Sequence, residues 1–300
     1  MSTFALGRRQ VRRLGYGAMQ LAGPNVFGPP ADRAAAIGVL RAAVSAGVDH
    51  VDTAEYYGPG VVNDLIRAAL YPYPEGLAIV SKVGVRRDDS GGVLPFDDPG
   101  QLRAGIEDNL RRLGAGQLAA VNLRVPGDGD VGPRFDDQLA AMVAARDAGL
   151  IAGIGLSNVT LGQLRHATAG TDIVCVQNMF NLADRREAPV LGECLARGIA
   201  FVPFWPLGAP RGQGAPVTRN TVVRNTVVRN TVLASPAVTR AAARLGATPA
   251  QVALRWLLQL APNVLLIPGT GSVAHLRENL AAERVALDDE ALRELDSAGA

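Results

Sequence analysis

Leu77-Ala78-Ile79-Val80-Ser81-Lys82-Val83-Gly84 is a short apolar run with one charged residue near its end, and it reads as a buried strand. Runs of the same kind recur along the chain, and a helical stretch follows each. Strands are predicted over 14–17, 48–53, 78–83, 119–124, 152–156, 173–177, 200–204 and 264–267. Helices are predicted over 33–46, 62–70, 100–113, 134–148, 161–169, 188–197, 236–260 with a break near Gly246, and 274–283. Residues 288–297 add a tail helix. Gly47, Gly114, Gly149 and Gly198 stand where helices exit into a left-handed cap. Eight strands that each lead into a helix predict a parallel α/β fold, a (β/α)8 TIM barrel. Residues 3–6 and 10–13, around Gly7-Arg8-Arg9, predict an N-terminal β-hairpin cap. The rival is a doubly wound open sheet. Against it, no Gly-x-Gly-x-x-Gly opens a helix after the first strand, and Gly15-Tyr16-Gly17-Ala18-Met19 is too short a match.

Composition narrows the class. The chain has 300 residues, which suits one barrel domain over 1–300. Hydrophobic residues make up 48%, enough for a large core. A net charge of +2 with dispersed arginines argues against a nucleic-acid partner. Cys175 and Cys194 lie in apolar stretches and read as free buried thiols in a reducing compartment. The first residues lack a long apolar signal region, and no apolar run approaches the roughly 18 residues that span a bilayer. The expectation is a cytoplasmic protein without a membrane association, a monomer or small homo-oligomer. No His/Cys/Asp spacing suggests a metal, and no Gly-x-Ser-x-Gly suggests a hydrolase.

One segment breaks the pattern. Residues 219–233 repeat Arg-Asn-Thr-Val-Val with period five, ending Val232-Leu233. That period fits neither a helix face nor a strand face. With the glycine-rich 208–214 before it, 209–233 reads as a loop insertion. The functional alternative is a basic flap over an anionic ligand.

Lys82 is the only lysine; the other 29 basic residues are arginine. In a parallel barrel, chemistry sits at the C-terminal strand ends. Those ends carry Asp52 to Gly58, Lys82, Asn122 to Arg124, Ser157-Asn158, Gln177-Asn178, Phe204-Trp205-Pro206 and Pro268 to Ser272. Asp52 on the neighbouring strand is the natural partner for Lys82. His50 reads as a packed strand residue and His166 as an exposed helical one.

These residues resemble the aldo-keto reductase superfamily over essentially the whole chain. The resemblance rests on Asp52-Thr53-Ala54-Glu55-Tyr56-Tyr57-Gly58 followed by Ser81-Lys82-Val83-Gly84. It implies catalytic roles for Asp52, Tyr57 and Lys82, with Arg124 at the place of a histidine found in most relatives. Gly15 to Pro24, Val121 to Arg124, Val174 to Asn178, Leu265 to Thr270 and Ser272 to Asn279 are similar to the bacterial pyridoxal reductases (pyridoxine 4-dehydrogenases), which also carry that arginine. The implied activity is reversible reduction of an aldehyde, pyridoxal first, with NADPH as cofactor. The same resemblance implies that Ser157, Asn158 and Gln177 hold the nicotinamide and that Phe204 stacks on it. It extends cofactor contacts to Gly17, Met19, Gln20, Pro206, Leu207, Gly269, Thr270, Ser272, His275, Glu278 and Asn279. His275 stands where an arginine usually grips the extra phosphate of NADP, and Gly269 replaces a frequent lysine. Arg277 is a possible substitute, although its spacing favours the outer face.

The site chemistry has its own logic. A carbonyl that accepts hydride builds negative charge on oxygen, which must be protonated. Tyrosine is a weak acid, and a nearby cation lowers its pKa. Lys82 is expected to do this for Tyr57, with Asp52 orienting Lys82. Spacing favours Tyr57 over Tyr56, which, like Trp205, is expected to wall the substrate pocket. Arginine cannot shuttle a proton, so Arg124 is expected to steady an oxyanion or pair with an anionic substituent of the substrate. The bland alternative is a rim arginine paired to a carboxylate. Two other functions compete: a reductase of other small aldehydes or ketones, and an NADP-binding, redox-sensing regulatory subunit.

Overall fold

The structure, a computed structural model, describes residues 2–125, 131–208 and 232–298. Its strands are β1 (Thr3–Leu6), β2 (Arg9–Arg12), β3 (Tyr16–Gly17), β4 (His50–Asp52), β5 (Ala78–Arg87), β6 (Val93–Phe96), β7 (Ala120–Arg124), β8 (Ile154–Ser157), β9 (Ile173–Gln177) and β10 (Ala200–Phe201). The helices are α1 (Arg33–Ser45), α2 (Val61–Leu70), α3 (Pro99–Leu113), α4 (Pro133–Asp147), α5 (Leu161–Gly170), α6 (Ala188–Ala196), α7 (Pro236–Leu245), α8 (Pro249–Leu260), α9 (Val273–Ala281) and α10 (Asp289–Ser297).

Side-chain alternation along each strand sets the layers. On β5, Ala78 and Val80 point into the barrel and Ile79 packs outward against the helices. Ala120 on β7, Cys175 on β9, Ala200 on β10 and Leu265 fill the same interior layer. The hairpin of β1 and β2 inserts Leu6 and Val11 into this cluster and so plugs one end of the barrel. The outer layer is a second, larger cluster between strands and helices.

The parallel sheet runs β10-β9-β8-β7-β5-β4-β3. Residues 264–266 join its two edges. Leu266 bridges Leu14 and Val264 bridges Phe201, both in parallel. Gly15 N donates to Leu266 O at 2.8 Å, and Leu265 N donates to Phe201 O at 2.9 Å. The eighth strand, expected over 264–267, is therefore present only as single bridges. They suffice to close a (β/α)8 barrel, which removes both sheet edges.

Local signals place the helices. Thr160 and Thr248 open α5 and α8 as N-caps, each in a reciprocal pairing with a glutamine three residues on. Gly114 and Gly246 close α3 and α7 in the left-handed conformation. No helix among the described residues is long and apolar enough to cross a membrane. Of the proposed insertion, only Val232 and Leu233 are described; 209–231 lie outside the described residues, and so does most of the five-residue repeat.

The structure adds one element that the sequence pattern missed. β5 runs past the barrel to Arg87 and folds back antiparallel onto β6. Gly84 permits this, with φ at +111° and a position where a Cβ would strike the backbone of Arg124. Gly84→Ala is therefore expected to lower stability by about 1–3 kcal/mol. Urea denaturation checks this, and an unchanged midpoint would contradict it.

Candidate active site

The strand ends form one polar layer above the apolar barrel interior. The parallel register sets Lys82 beside Asn122, Arg124 beside Ser157 and Ser157 beside Gln177. Inward alternation then aims Asp52, Lys82, Arg124, Ser157 and Gln177 into a cavity of about 260 Å³. Its volume suits a flat ring and a small carbonyl compound. A larger cleft of about 660 Å³ lies elsewhere, lined by Arg255, Arg277 and Arg284 together with Glu283. It gathers no proton donor suited to carbonyl chemistry, so the smaller cavity is the candidate site.

Lys82 and Asp52 are each 4% exposed and form an ion pair between Nζ and Oδ1. Lys82 Nζ also donates to Thr53 O at 3.0 Å. The second carboxylate oxygen of Asp52 accepts from Gln177 Nε2 at 3.0 Å. Both charges thus enter the interior with partners already in place, as burial requires. Burial works against the charge on Lys82, but Asp52, Tyr57 and Tyr56 outweigh it and hold the ammonium above its ordinary range.

Tyr57 follows in the loop after β4 and lies 6% exposed. Lys82 Nζ sits 5.2 Å from the centre of its ring. Burial pushes the Tyr57 phenol above the usual tyrosine value, and the Lys82 charge pulls it back only in part. This corrects the expectation of a net lowering. The difference is physical: desolvation of the phenolate exceeds the pull of one lysine whose charge is already shared with Asp52. Tyr57 therefore stands as a protonated phenol, able to donate, with a cation ready to stabilise the phenolate left behind.

Behind the strand ends runs a fully buried polar chain. Thr53 Oγ1 donates to Asn63 Oδ1 at 2.8 Å, and Asn63 Nδ2 donates to Asn109 Oδ1 at 2.8 Å. Ser81 Oγ donates to the same Asn109 oxygen at 2.6 Å. Thr53 follows Asp52 and Ser81 precedes Lys82, so α2 and α3 brace both members of the ion pair through this chain.

Arg124 ends β7, half-buried at the cavity. Its Nη1 donates to Tyr56 Oη at 3.1 Å. No carboxylate among the described residues lies within ion-pair distance of it, against the bland alternative of a paired rim arginine. Tyr56, expected as a pocket wall, does not line the cavity and is 4% exposed. Trp205 does line it, in a left-handed conformation with φ at +54°, and its carbonyl accepts from Asn181 Nδ2 at 3.1 Å.

Most of the expected cofactor residues converge here. Gly17, Met19, Gln20, Phe204, Pro206, Leu207 and Gly269 all line the cavity. Gly17 and Gly269 press so closely that a Cβ on Gly269 would lie 2.6 Å from Gly17 O. Asn158, next to the cavity residue Ser157 at the end of β8, is in a left-handed conformation with its Nδ2 buried and unpartnered. That orphan donor suits a nicotinamide carboxamide, and Phe204 offers the cavity a flat wall for a ring.

Thr270, Ser272, His275, Glu278 and Asn279 lie beyond the cavity on α9 and the loop before it. Ser272 caps α9 by accepting from His275 N at 3.4 Å, and His275 is exposed. Glu278 accepts from Thr248 Oγ1 at 2.6 Å, which ties α9 to the start of α8. Asn279 is buried. Arg277 lines the other cleft. Of the remaining histidines, His50 is buried beneath Gly15, while His166 is exposed and meets Asp136 at 2.5 Å. No metal-holding group of His, Cys, Asp and Glu occurs among the described residues.

The site also uses residues that sequence reasoning did not assign. Ile267, Pro268 and Gly208 line the cavity, and their places beside the eighth and seventh strand ends were the available signal. Leu233 lines it too, with no sequence signal to mark it.

The profile of the aldo/keto reductase family matches residues 13–300. The chain belongs to the aldo/keto reductase family. This makes it an oxidoreductase acting on carbonyl and alcohol groups. It is 48% identical over 298 residues to pyridoxine 4-dehydrogenase of Escherichia coli (strain K12), covering 98% of this chain and 97% of that protein. Among solved structures, it is similar to a thermostable aldo-keto reductase in complex with the inhibitor epalrestat. That match has a TM-score of 0.79, 31% identity and 100% coverage of both chains. An aldo/keto reductase from Klebsiella pneumoniae, solved with NADP and acetate, shares the fold at TM-score 0.76 and 22% identity, over 99% of this chain and 95% of that one.

The polar chain behind the ion pair gives a direct prediction. Asn109→Ala strips the acceptor from Asn63 and Ser81 inside the protein and is expected to cost about 2–4 kcal/mol of stability. Guanidinium denaturation measures it; a loss under about 0.5 kcal/mol would mean that the chain is not structural.

Proposed function

We propose that this chain reduces pyridoxal to pyridoxine, reversibly, with NADPH. The observation that carries the reading is Arg124, a guanidinium without a carboxylate partner among the described residues, set in one cavity with Tyr57 and Lys82. Similarity to a pyridoxine 4-dehydrogenase supports it.

When bound, the reduced nicotinamide supplies a hydride to the carbonyl carbon. Tyr57 donates its phenolic proton to the carbonyl oxygen, and the aldehyde becomes an alcohol. Lys82 then faces a phenolate, which its charge stabilises until solvent returns a proton. Asp52 keeps Lys82 charged and aimed, and Gln177 fixes Asp52 from the other side. Arg124 stabilises negative charge at the carbonyl oxygen and at the phenolic oxygen that pyridoxal carries beside its aldehyde. Asn158, Ser157 and Phe204 would hold the nicotinamide. Ser272 and His275 would meet the adenosine phosphate at the start of α9, where backbone N–H groups favour an anion. Arg277 turns to the other cleft, so this role falls to His275 and supports a moderate preference for NADPH over NADH.

A second reading, reduction of other small aldehydes, draws on the apolar walls made by Met19, Trp205, Leu207 and Leu233. The assembled Asp52, Tyr57 and Lys82 argue against a regulatory subunit.

Steady-state NADPH oxidation with pyridoxal, beside simple aldehydes and an NADH control, tests the proposal. Pyridoxal is expected to have the highest kcat/KM, and Tyr57→Phe to lower turnover by about 10²–10⁴-fold. Turnover of simple aldehydes alone would discard pyridoxal, and NADPH binding without turnover would discard the enzymatic reading.

A further inference from the structure

Arginine at a half-buried site ordinarily meets a carboxylate, whose rigid fork it matches and whose charge cancels its own. Arg124 meets a phenol instead. Tyr56 Oη accepts from Arg124 Nη1 at 3.1 Å, and the guanidinium carbon lies 5.8 Å from the centre of the Tyr56 ring. A neutral acceptor orients the guanidinium, which has no carboxylate partner among the described residues.

Tyr56 is itself held from both ends. Its ring packs edge-on against Tyr57, with centroids 5.1 Å apart and planes at 76°. Its carbonyl accepts from Arg87 Nε at 3.2 Å, and Arg87 is tied by Nη1 to Gly91 O at 2.5 Å. The extension of β5 toward β6 thus reaches back to fix the residue that fixes Arg124. Tyr56 itself stays out of the cavity.

We propose that Tyr56 is a positioning residue that sets substrate specificity: its hydroxyl holds Arg124 at the cavity as a cation, favouring aldehydes with an anionic oxygen beside the reacting carbonyl. This deepens the carbonyl-reductase reading and rests on it. Tyr56 acts through Arg124, so its effect must vanish when Arg124 is gone. Phenylalanine at this position keeps the ring against Tyr57 and removes only the acceptor.

The test measures kcat and KM for 2-hydroxybenzaldehyde and benzaldehyde with NADPH at about pH 9, where the 2-hydroxyl is largely ionised, in the parent enzyme, Tyr56→Phe, Arg124→Leu and the double variant. Tyr56→Phe is expected to lower the 2-hydroxybenzaldehyde to benzaldehyde ratio of kcat/KM by about tenfold, chiefly through KM. In the Arg124→Leu background it should shift that ratio by less than about twofold. Tyr56→Gln, which restores an acceptor, should recover part of the ratio. Equal losses on both aldehydes would overturn the proposal. So would losses that multiply with those of Arg124→Leu, or a parent enzyme that does not distinguish the two aldehydes. Pyridoxal plays no part in the cycle, so a failure of pyridoxal as the substrate would show separately.

Discussion

A lysine and an aspartate, each almost wholly removed from water, face one another inside the mouth of the barrel, and the rest of the site follows from that pair. Neither charge tolerates such burial alone; removing one partner from a buried pair costs about 3–5 kcal/mol. The fold meets this demand by geometry. Parallel pairing places β4 beside β5, and inward alternation turns Asp52 and Lys82 to the same interior. Thr53 O and Gln177 Nε2 give each member of the pair one further partner. The price of so specific an arrangement appears in the buried chain of Thr53, Asn63, Ser81 and Asn109, which replaces apolar packing with polar groups that must all be satisfied.

From the pair outward, charge is distributed with two different kinds of partner. Lys82 is compensated by a carboxylate, so it keeps its proton while the neighbouring Tyr57 phenol keeps its own. Arg124 is oriented by a neutral hydroxyl, so its charge remains directed at whatever enters the cavity. A proton donor and a cation with no carboxylate partner among the described residues thus share one small space, an arrangement suited to a carbonyl oxygen that gains negative charge.

Much of this was legible in the sequence because the signals were local. Glycine exits such as Gly114, threonine–glutamine pairs such as Thr160 and Gln163, and short apolar runs specify helices and strands within a few residues. The spacing from Asp52 to Tyr57, with Lys82 on the next strand, placed the centre of the site. What escaped depended on contacts distant in the chain or on solvent. The 264–266 strand forms single bridges to two strands far apart in sequence, so its own pattern overstates its length. β6 stands beyond the barrel with much of its surface in water, and Val93-Leu94-Pro95-Phe96 lacks the alternation of a half-buried strand. Tyr56 meets Arg124, a partner 68 residues away that no local pattern marks. The direction of the Tyr57 shift required knowing how deeply the phenol lies, which no motif encodes.

The proposed chemistry depends on a compact ammonium at position 82. A guanidinium carries the same charge, but it is larger and planar and does not fit the point contact that Lys82 makes with Asp52 and Thr53. The decisive measurement is kcat for aldehyde reduction by Lys82→Arg at saturating NADPH, with cofactor binding followed separately by fluorescence. NADPH is expected still to bind while kcat falls by more than about a hundredfold. Turnover within a few fold of the parent would show that any cation serves, and would contradict the proposed chemistry.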